Sequence, residues 1–293
     1  LLVSIGLIVS VMSTTGIGNT FSLIVSERAG GSLLITSILV AIASLVLGMG
    51  LPVTASYIVL GTLSAPALYS LISEAQLLQM MIDGSLPEVA RAIFMLADPV
   101  QAALLAEPMA HADAESLLAM VPGDFKYTLL EQALDPRALS MALLSAHMII
   151  FWLSQDSNVT PPVCLTAFAA AAIAKTPPMA TGITAWKIAK GLYIIPILFA
   201  YTGFIGGSLA EILTVFVFSM FGIYALAGFM EGYLEGPIGM FGRAIALAAG
   251  LALLWPNLPL VVKIIGLGCF LMLFLQSRKN NVNEIDHKSL QIS

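Results

Sequence analysis

An all-α polytopic membrane protein is the fold class this sequence predicts, on three observations. Of 293 residues, 59% are hydrophobic and only 10% are charged, against roughly 25% charged in soluble domains. Mean hydropathy is +0.97, and several apolar stretches reach the roughly 20 residues a helix needs to cross a bilayer. The third observation is a break. Ser154-Gln155-Asp156-Ser157-Asn158-Val159-Thr160-Pro161-Pro162 lies between the apolar runs Ala138 to Leu153 and Val163 to Ala174. Lipid tolerates broken backbone only where it is buried in protein or lines a cavity. Interrupted helices at mid-membrane depth mark binding sites in secondary transporters.

Taken in order, Leu1 to Val25 is a span interrupted by Ser13-Thr14-Thr15-Gly16-Ile17-Gly18-Asn19-Thr20, where packing or a hinge is the plainer reading. Ser32 to Leu71 is an apolar stretch of about 40 residues with Gly48-Met49-Gly50-Leu51-Pro52-Val53-Thr54 at its centre. That length allows two full passes at 1.5 Å per residue. An uncharged Gly-x-Gly-x-Pro centre favours a re-entrant hairpin with a shielded tip over two spans joined by an exposed loop. Glu74 to Arg137 holds ten acids and three bases (Arg91, Lys126 and Arg137). Its apolar residues recur at helical spacing, which predicts short amphipathic helices in an extramembranous or surface insert. Ala138 to Ala174 is the broken helix. Ile188 to Phe204 and Leu209 to Phe229 are further spans, and Arg243 to Trp255 pairs with Leu258 to Leu275 around Pro256-Asn257. The tail from Gln276 is polar and is expected to be poorly ordered.

This predicts the divisions 1–73 (transmembrane helix plus hairpin), 74–137 (acidic insert), 138–205 (broken helix and following span), 206–276 (C-terminal spans) and 277–293 (polar tail). Lys175, Lys187 and Lys190 precede four expected spans, and Arg278, Lys279 and Lys288 follow them, so both basic groups fall on one side. By the positive-inside rule that side is cytoplasmic, and the acidic insert faces outward. Arg243 falls on the inner side, while Lys263 lies within a span and is expected to snorkel. Trp152, Trp186 and Trp255 sit where interfacial anchors would. Cys164 and Cys269 have neither disulfide nor metal spacing and read as packing residues. No signal peptide is read at Leu1, and the absence of Met there suggests the C-terminal piece of a longer chain.

The two breaks carry the candidate chemistry. Thr160-Pro161-Pro162 removes two backbone donors and imposes extended geometry before each proline. Carbonyls freed at one half-helix suit a cation, and N–H groups freed at the other suit a carboxylate. Asp156 is the one acid in the interrupted helix, and an intramembrane acid is a functional candidate by default. The plainer alternative has Asp156 capping a half-helix that starts near Thr160. Gly48 and Gly50 permit close approach of a ligand, Pro52 suits a helix first turn, and Thr54 offers a hydroxyl beside it. The substrate and ion candidates are therefore Gly48, Met49, Gly50, Pro52, Thr54, Asp156, Ser157, Asn158, Thr160, Pro161 and Val163. His147 reads as a hydrogen-bonded packing residue before a proton relay. The sequence has no Walker-type loop, nucleophile elbow, zinc spacing or basic nucleic-acid patch. Uphill transport by this chain would then draw on an ion gradient.

The stretch Leu47-Gly48-Met49-Gly50-Leu51-Pro52-Val53-Thr54-Ala55-Ser56-Tyr57-Ile58-Val59-Leu60, with Ala65-Pro66-Ala67-Leu68, resembles the large membrane component of tripartite ATP-independent periplasmic (TRAP) transporters. Ala146-His147-Met148 to Asp156, then Thr160-Pro161-Pro162-Val163-Cys164-Leu165-Thr166 to Ala174, is similar to the same family's second signature. Within that family the chain looks like the fused four-plus-twelve-helix permease served by TAXI-type binding proteins. The resemblance implies the second inverted repeat of an elevator-type, Na⁺-coupled importer of organic acids in a bacterial or archaeal inner membrane. It implies Na⁺ as coupling ion at Gly48, Ser157, Thr160 and Val163, and no other cofactor. The implied partners are a periplasmic TAXI-type binding protein, a small four-helix subunit or fused domain, and a missing N-terminal half. Three departures accompany it: no first repeat, no small scaffold part, and an insert at 74–137 longer than the expected connector. The alternative is an intramembrane enzyme using Asp156 and His147. These lie nine residues apart, on opposite faces of an unbroken helix. A ligand-free structural protein leaves both breaks unexplained.

Overall fold

The computed structural model describes residues 2–48, 51–97, 105, 107–256 and 258–292. Apart from a single bridge between Tyr233 and Pro237, the described residues form helices and connections only. The chain divides into two compact units, Leu1–Ile183 and Thr184–Ser293.

In the first unit, α1 (Leu2–Thr15) and α2 (Ile17–Arg28) are separated at Gly16, whose φ is 69°. A side-chain-bearing residue is strained there, so the interruption read from sequence is a real helix break. Next come α3 (Leu33–Gly48) and α4 (Val53–Ile82), packed together as the two arms of a hairpin. The second arm is longer than expected. It runs unbroken past Leu71, through Pro66 and the first nine residues of the acidic segment. Leu77 and Met81 continue its buried stripe at helical spacing, and no breaker appears before Asp83-Gly84. The remainder of the insert forms α5 (Glu88–Ala97), α6 (His111–Met120) and α7 (Gly123–Ala133). These helices close a core of their own around Leu77, Met81, Phe94, Leu117 and Leu129.

Helix α8 (Pro136–Asp156) starts with an Asp135 cap that accepts from the Arg137 and Ala138 amides, and it packs against both hairpin arms. After the break, α9 (Leu165–Ala174) ends at Lys175 in the left-handed conformation. Helix α10 (Pro178–Ile188) carries the chain into the second unit.

In the second unit the expected span Ile188 to Phe204 is built differently. A 3-10 turn (Ala189–Tyr193) links α10 to the short α11 (Ile195–Tyr201), so Lys187 and Lys190 lie within the apolar stretch Pro178–Tyr201. Gly191 and Pro196 fall in this kinked section. Helix α12 (Leu209–Glu231) opens on a capping box between Ser208 and Glu211. Arg243 at the start of α13 (Met240–Leu254) donates to the Phe229 and Met230 carbonyls at the end of α12. Helix α14 (Leu260–Ile292) continues through the polar segment expected to be poorly ordered. Its Lys263 Nζ reaches the Pro256 carbonyl at 3.2 Å, as a snorkelling lysine does.

Among the described residues, Val53–Ile82, Pro136–Asp156, Pro178–Tyr201, Leu209–Glu231 and Leu260–Asn281 are long and apolar enough to cross a membrane. Helices α3, α9 and α13 are apolar but shorter. The protein is an all-α polytopic membrane protein.

Candidate functional site

The first arm of the hairpin ends against the broken helix. Gly48 closes α3 and is buried; a β-carbon there would lie 2.6 Å from Ser157 Oγ and closer still to Ser157 Cβ. Only glycine allows this approach. Thr36, Val40, Ser44 and Gly48 recur every four residues along the buried face of α3. Ser56, Leu60, Ser64 and Leu68 do the same in α4. Small or hydroxyl-bearing residues thus recur along both buried faces, interleaved with Val40, Leu60 and Leu68, as expected of closely packed membrane helices.

The break occupies Ser157 to Cys164. The Thr160 hydroxyl donates to the Asp156 carbonyl at 2.5 Å, and the Ser157 hydroxyl donates to the Ser154 carbonyl at 3.0 Å. The Thr166 hydroxyl reaches back to the Asn158 carbonyl at 2.6 Å. Side-chain hydroxyls thus replace several amide donors that the helix no longer supplies. A hydroxyl that donates its proton is still an oxygen acceptor by chemistry. Pro161 and Pro162 are joined by a cis peptide bond. Cys164 sits buried at a φ of 24° before α9, with Gly182 of α10 packed directly on its sulfur. The second half-helix starts at Leu165, five residues beyond the expected start near Thr160.

Asp156 ends α8 with a relative exposure of 1%. Neither carboxylate oxygen has a hydrogen-bond partner, so the capping role weighed for it is not seen. The hydroxyls of Ser44, one turn before Gly48, and of Ser56, one turn after Pro52, are also buried and unpaired. An uncompensated carboxylate inside a protein is costly. Both serines were overlooked in the sequence. The signal was their four-residue spacing from Gly48 and from Pro52, hidden because serine is common in apolar helices.

The remaining candidates sit at the rims. Asn158, Pro161 and Val163 are half-buried within the break. Pro52 is the exposed residue preceding α4, and Thr54 is exposed in the first turn with no capping bond. Met49 and Gly50 lie outside the described residues. His147 is held apart from the break: its Nδ1 lies 3.3 Å from the Tyr57 hydroxyl, and the ring meets Tyr57 edge-on. Helix α8 is unbroken from His147 to Asp156, so the realignment that an Asp156–His147 enzyme requires is absent. Among the described residues no cluster of three His, Cys, Asp or Glu side chains is placed to hold a metal ion.

Apolar spans, a hairpin closed on a broken helix and polar atoms buried between them define a membrane permease. The family model for the tripartite ATP-independent periplasmic transporter, DctM component, matches residues 1–205, and the chain belongs to this family of TRAP large permease components. Membership implies a periplasmic binding protein and a small membrane subunit as partners. No curated protein and no solved structure matches the chain.

Proposed function

We propose that this chain is the part of a TRAP permease that couples Na⁺ entry to the import of organic acids, with Na⁺ held where the hairpin meets the broken helix. The observation that carries the reading is Asp156, a buried carboxylate without a partner, one residue from the Gly48–Ser157 contact. A small hard cation takes oxygen ligands from carboxylates, carbonyls and hydroxyls. Oxygens of each kind occur here: the Asp156 side chain, the Ser157 and Val163 carbonyls, and the Thr160 hydroxyl. With Na⁺ bound, the hairpin arm and the break are tied together and the charge of Asp156 is offset. Without it, the same contact leaves a carboxylate uncompensated. Ion binding is thereby linked to the closure of one interface, which is what coupling requires.

The helix N-terminus exposed after the hairpin tip, at Pro52 to Thr54, is the place for the substrate carboxylate on this reading. The α3–α4 hairpin is re-entrant on this reading, and the permease works with a TAXI-type binding protein in the inner membrane. The first repeat comes from sequence beyond this chain. In the complete permease, Thr160→Val keeps side-chain shape and removes the hydroxyl. Initial uptake rates in liposomes, measured against external Na⁺, are expected to need at least about tenfold more Na⁺ for half-activation, since one charge-assisted contact is worth ~1.5 kcal/mol or more. Unchanged Na⁺ activation removes this site from consideration.

A further inference from the structure

A second feature of the first unit lies away from the break: a cavity of about 1040 Å³ laid along α4. Its floor is the α4 face from Tyr57 through Gly61 and Ala65 to Tyr69. The α1–α2 break at Gly16 forms one wall, and the α8 face from Pro136 through Leu139 and Leu143 to His147 forms the other. The floor spans 12 residues, about 18 Å of helix, and the hydrocarbon of one leaflet is half of a ~30 Å core, or about 15 Å. The groove therefore has the length of one acyl chain, and most of its lining is apolar.

Its two ends differ. At one end the Tyr57 hydroxyl and His147 Nδ1 satisfy each other. At the other, Tyr69 of α4 lines the groove together with Tyr127 and Glu131, which the acidic insert contributes. Tyr127 and Glu131 stand four residues apart, on one face of α7. Among the described residues Glu131 is in no ion pair, whereas Glu74 in the same segment is held by Lys126 at 3.3 Å. Two aromatic rings with an unneutralised carboxylate form a receptor for an ammonium group.

We propose that this groove binds a phospholipid with a primary ammonium headgroup, a phosphatidylethanolamine. Its ammonium sits among Tyr69, Tyr127 and Glu131, and one acyl chain lies between α4 and α8. Charge selects the headgroup: an anionic glycerol phospholipid brings only negative charge to Glu131. The insert thereby acquires a role beyond capping the helices, since it supplies half of the headgroup site.

The complete permease, purified in mild detergent, tests this by extraction of its bound lipid and measurement of phosphatidylethanolamine against phosphatidylglycerol per protein. Glu131→Gln is expected to lower that ratio by up to about fivefold, the worth of one exposed ion pair, while Na⁺ activation of uptake stays unchanged. Leu143→Trp, which fills the groove, is expected to release the retained lipid with either headgroup. A wild-type ratio in Glu131→Gln, or wild-type retention in Leu143→Trp, overturns the proposal. So does shielding of Leu143→Cys from a lipid-soluble maleimide in delipidated protein, because the groove would then be filled by another part of the permease. Each outcome is read from lipid content or labelling, so it stands apart from the Na⁺ assignment.

Discussion

Placing one methyl group at residue 48 tests the contact between hairpin and break most directly. A β-carbon there would sit 2.6 Å from Ser157 Oγ and nearer to Ser157 Cβ, well inside the ~3.5–4.0 Å of a favourable carbon contact. Relief must come from moving α3 or the start of the break, because Ser157 is buried and its hydroxyl is committed to the Ser154 carbonyl. Overpacking of this kind costs ~1–3 kcal/mol, or between about fivefold and 150-fold in any equilibrium that requires the closed interface. Gly48→Ala in the complete permease is therefore expected to raise the Na⁺ needed for half-maximal uptake by at least about fivefold and to lower the melting temperature. Ser157→Gly removes the atoms that clash, so Gly48→Ala with Ser157→Gly should recover at least half of the loss. In a double-mutant cycle the coupling between the two sites should be ~1 kcal/mol or more. The assay is Na⁺-dependent uptake into liposomes alongside thermal unfolding in detergent. Wild-type behaviour of Gly48→Ala, or additive losses in the pair, would refute the claim that the hairpin arm and break touch in the working protein.

Three further outcomes are expected. Asp156→Asn keeps volume and removes charge, so the Na⁺-dependent rise in melting temperature should vanish; a site filled to 100 times its Kd gives ~2.7 kcal/mol, and a retained shift places the ion elsewhere. Gly182→Ala drives a methyl to within 2.5 Å of Cys164 Sγ; it should destabilise the protein by ~1–3 kcal/mol, with rescue by Cys164→Ala, both read from thermal unfolding. Phe94→Ala removes a fully buried ring from the core of the insert; it should cost ~3–5 kcal/mol, seen in hydrogen exchange as loss of amide protection confined to α5–α7 and the end of α4.

Much of this organisation was legible because lipid simplifies the code. A hydrophobic run of sufficient length has few alternatives to a helix, and a polar run inside it has few reasons to exist. The breaks at Gly16 and at Ser157 to Cys164 could be read for that reason, as could the glycine that lets α3 end against α8. The boundaries were less legible. Helix α4 overran Leu71 because its one acid there, Glu74, is paired with Lys126 while Leu77 and Met81 hold the buried stripe. Counting charges in a segment marks where composition changes, and composition changes inside this helix. The section from Lys187 to Tyr201 misled for the opposite reason: uniform apolarity concealed a change from α to 3-10 geometry.

Pairing was least legible of all. Ser44 and Ser56 are unremarkable in sequence, since a lone serine in an apolar helix commonly bonds to the carbonyl four residues back. Ser37 and Ser154 do so, yet Ser44 and Ser56 do not. Thr36, Ser64 and Ser73 share this lack of a partner, and sequence spacing within one helix cannot reveal which hydroxyls bond. It also bears on the reading of the site. Five hydroxyls of α3 and α4 (Thr36, Ser44, Ser56, Ser64 and Ser73) and the Asp156 carboxylate are buried without partners on helices that pack together, while the Ser157, Thr160 and Thr166 hydroxyls of the break are engaged. Of these groups the carboxylate is the costliest to leave unpaired, and it lies where a cation would offset it. Asp156→Asn separates this account from simple imperfection: if the cost serves ion binding, the variant gains stability in Na⁺-free buffer and loses its response to Na⁺ together.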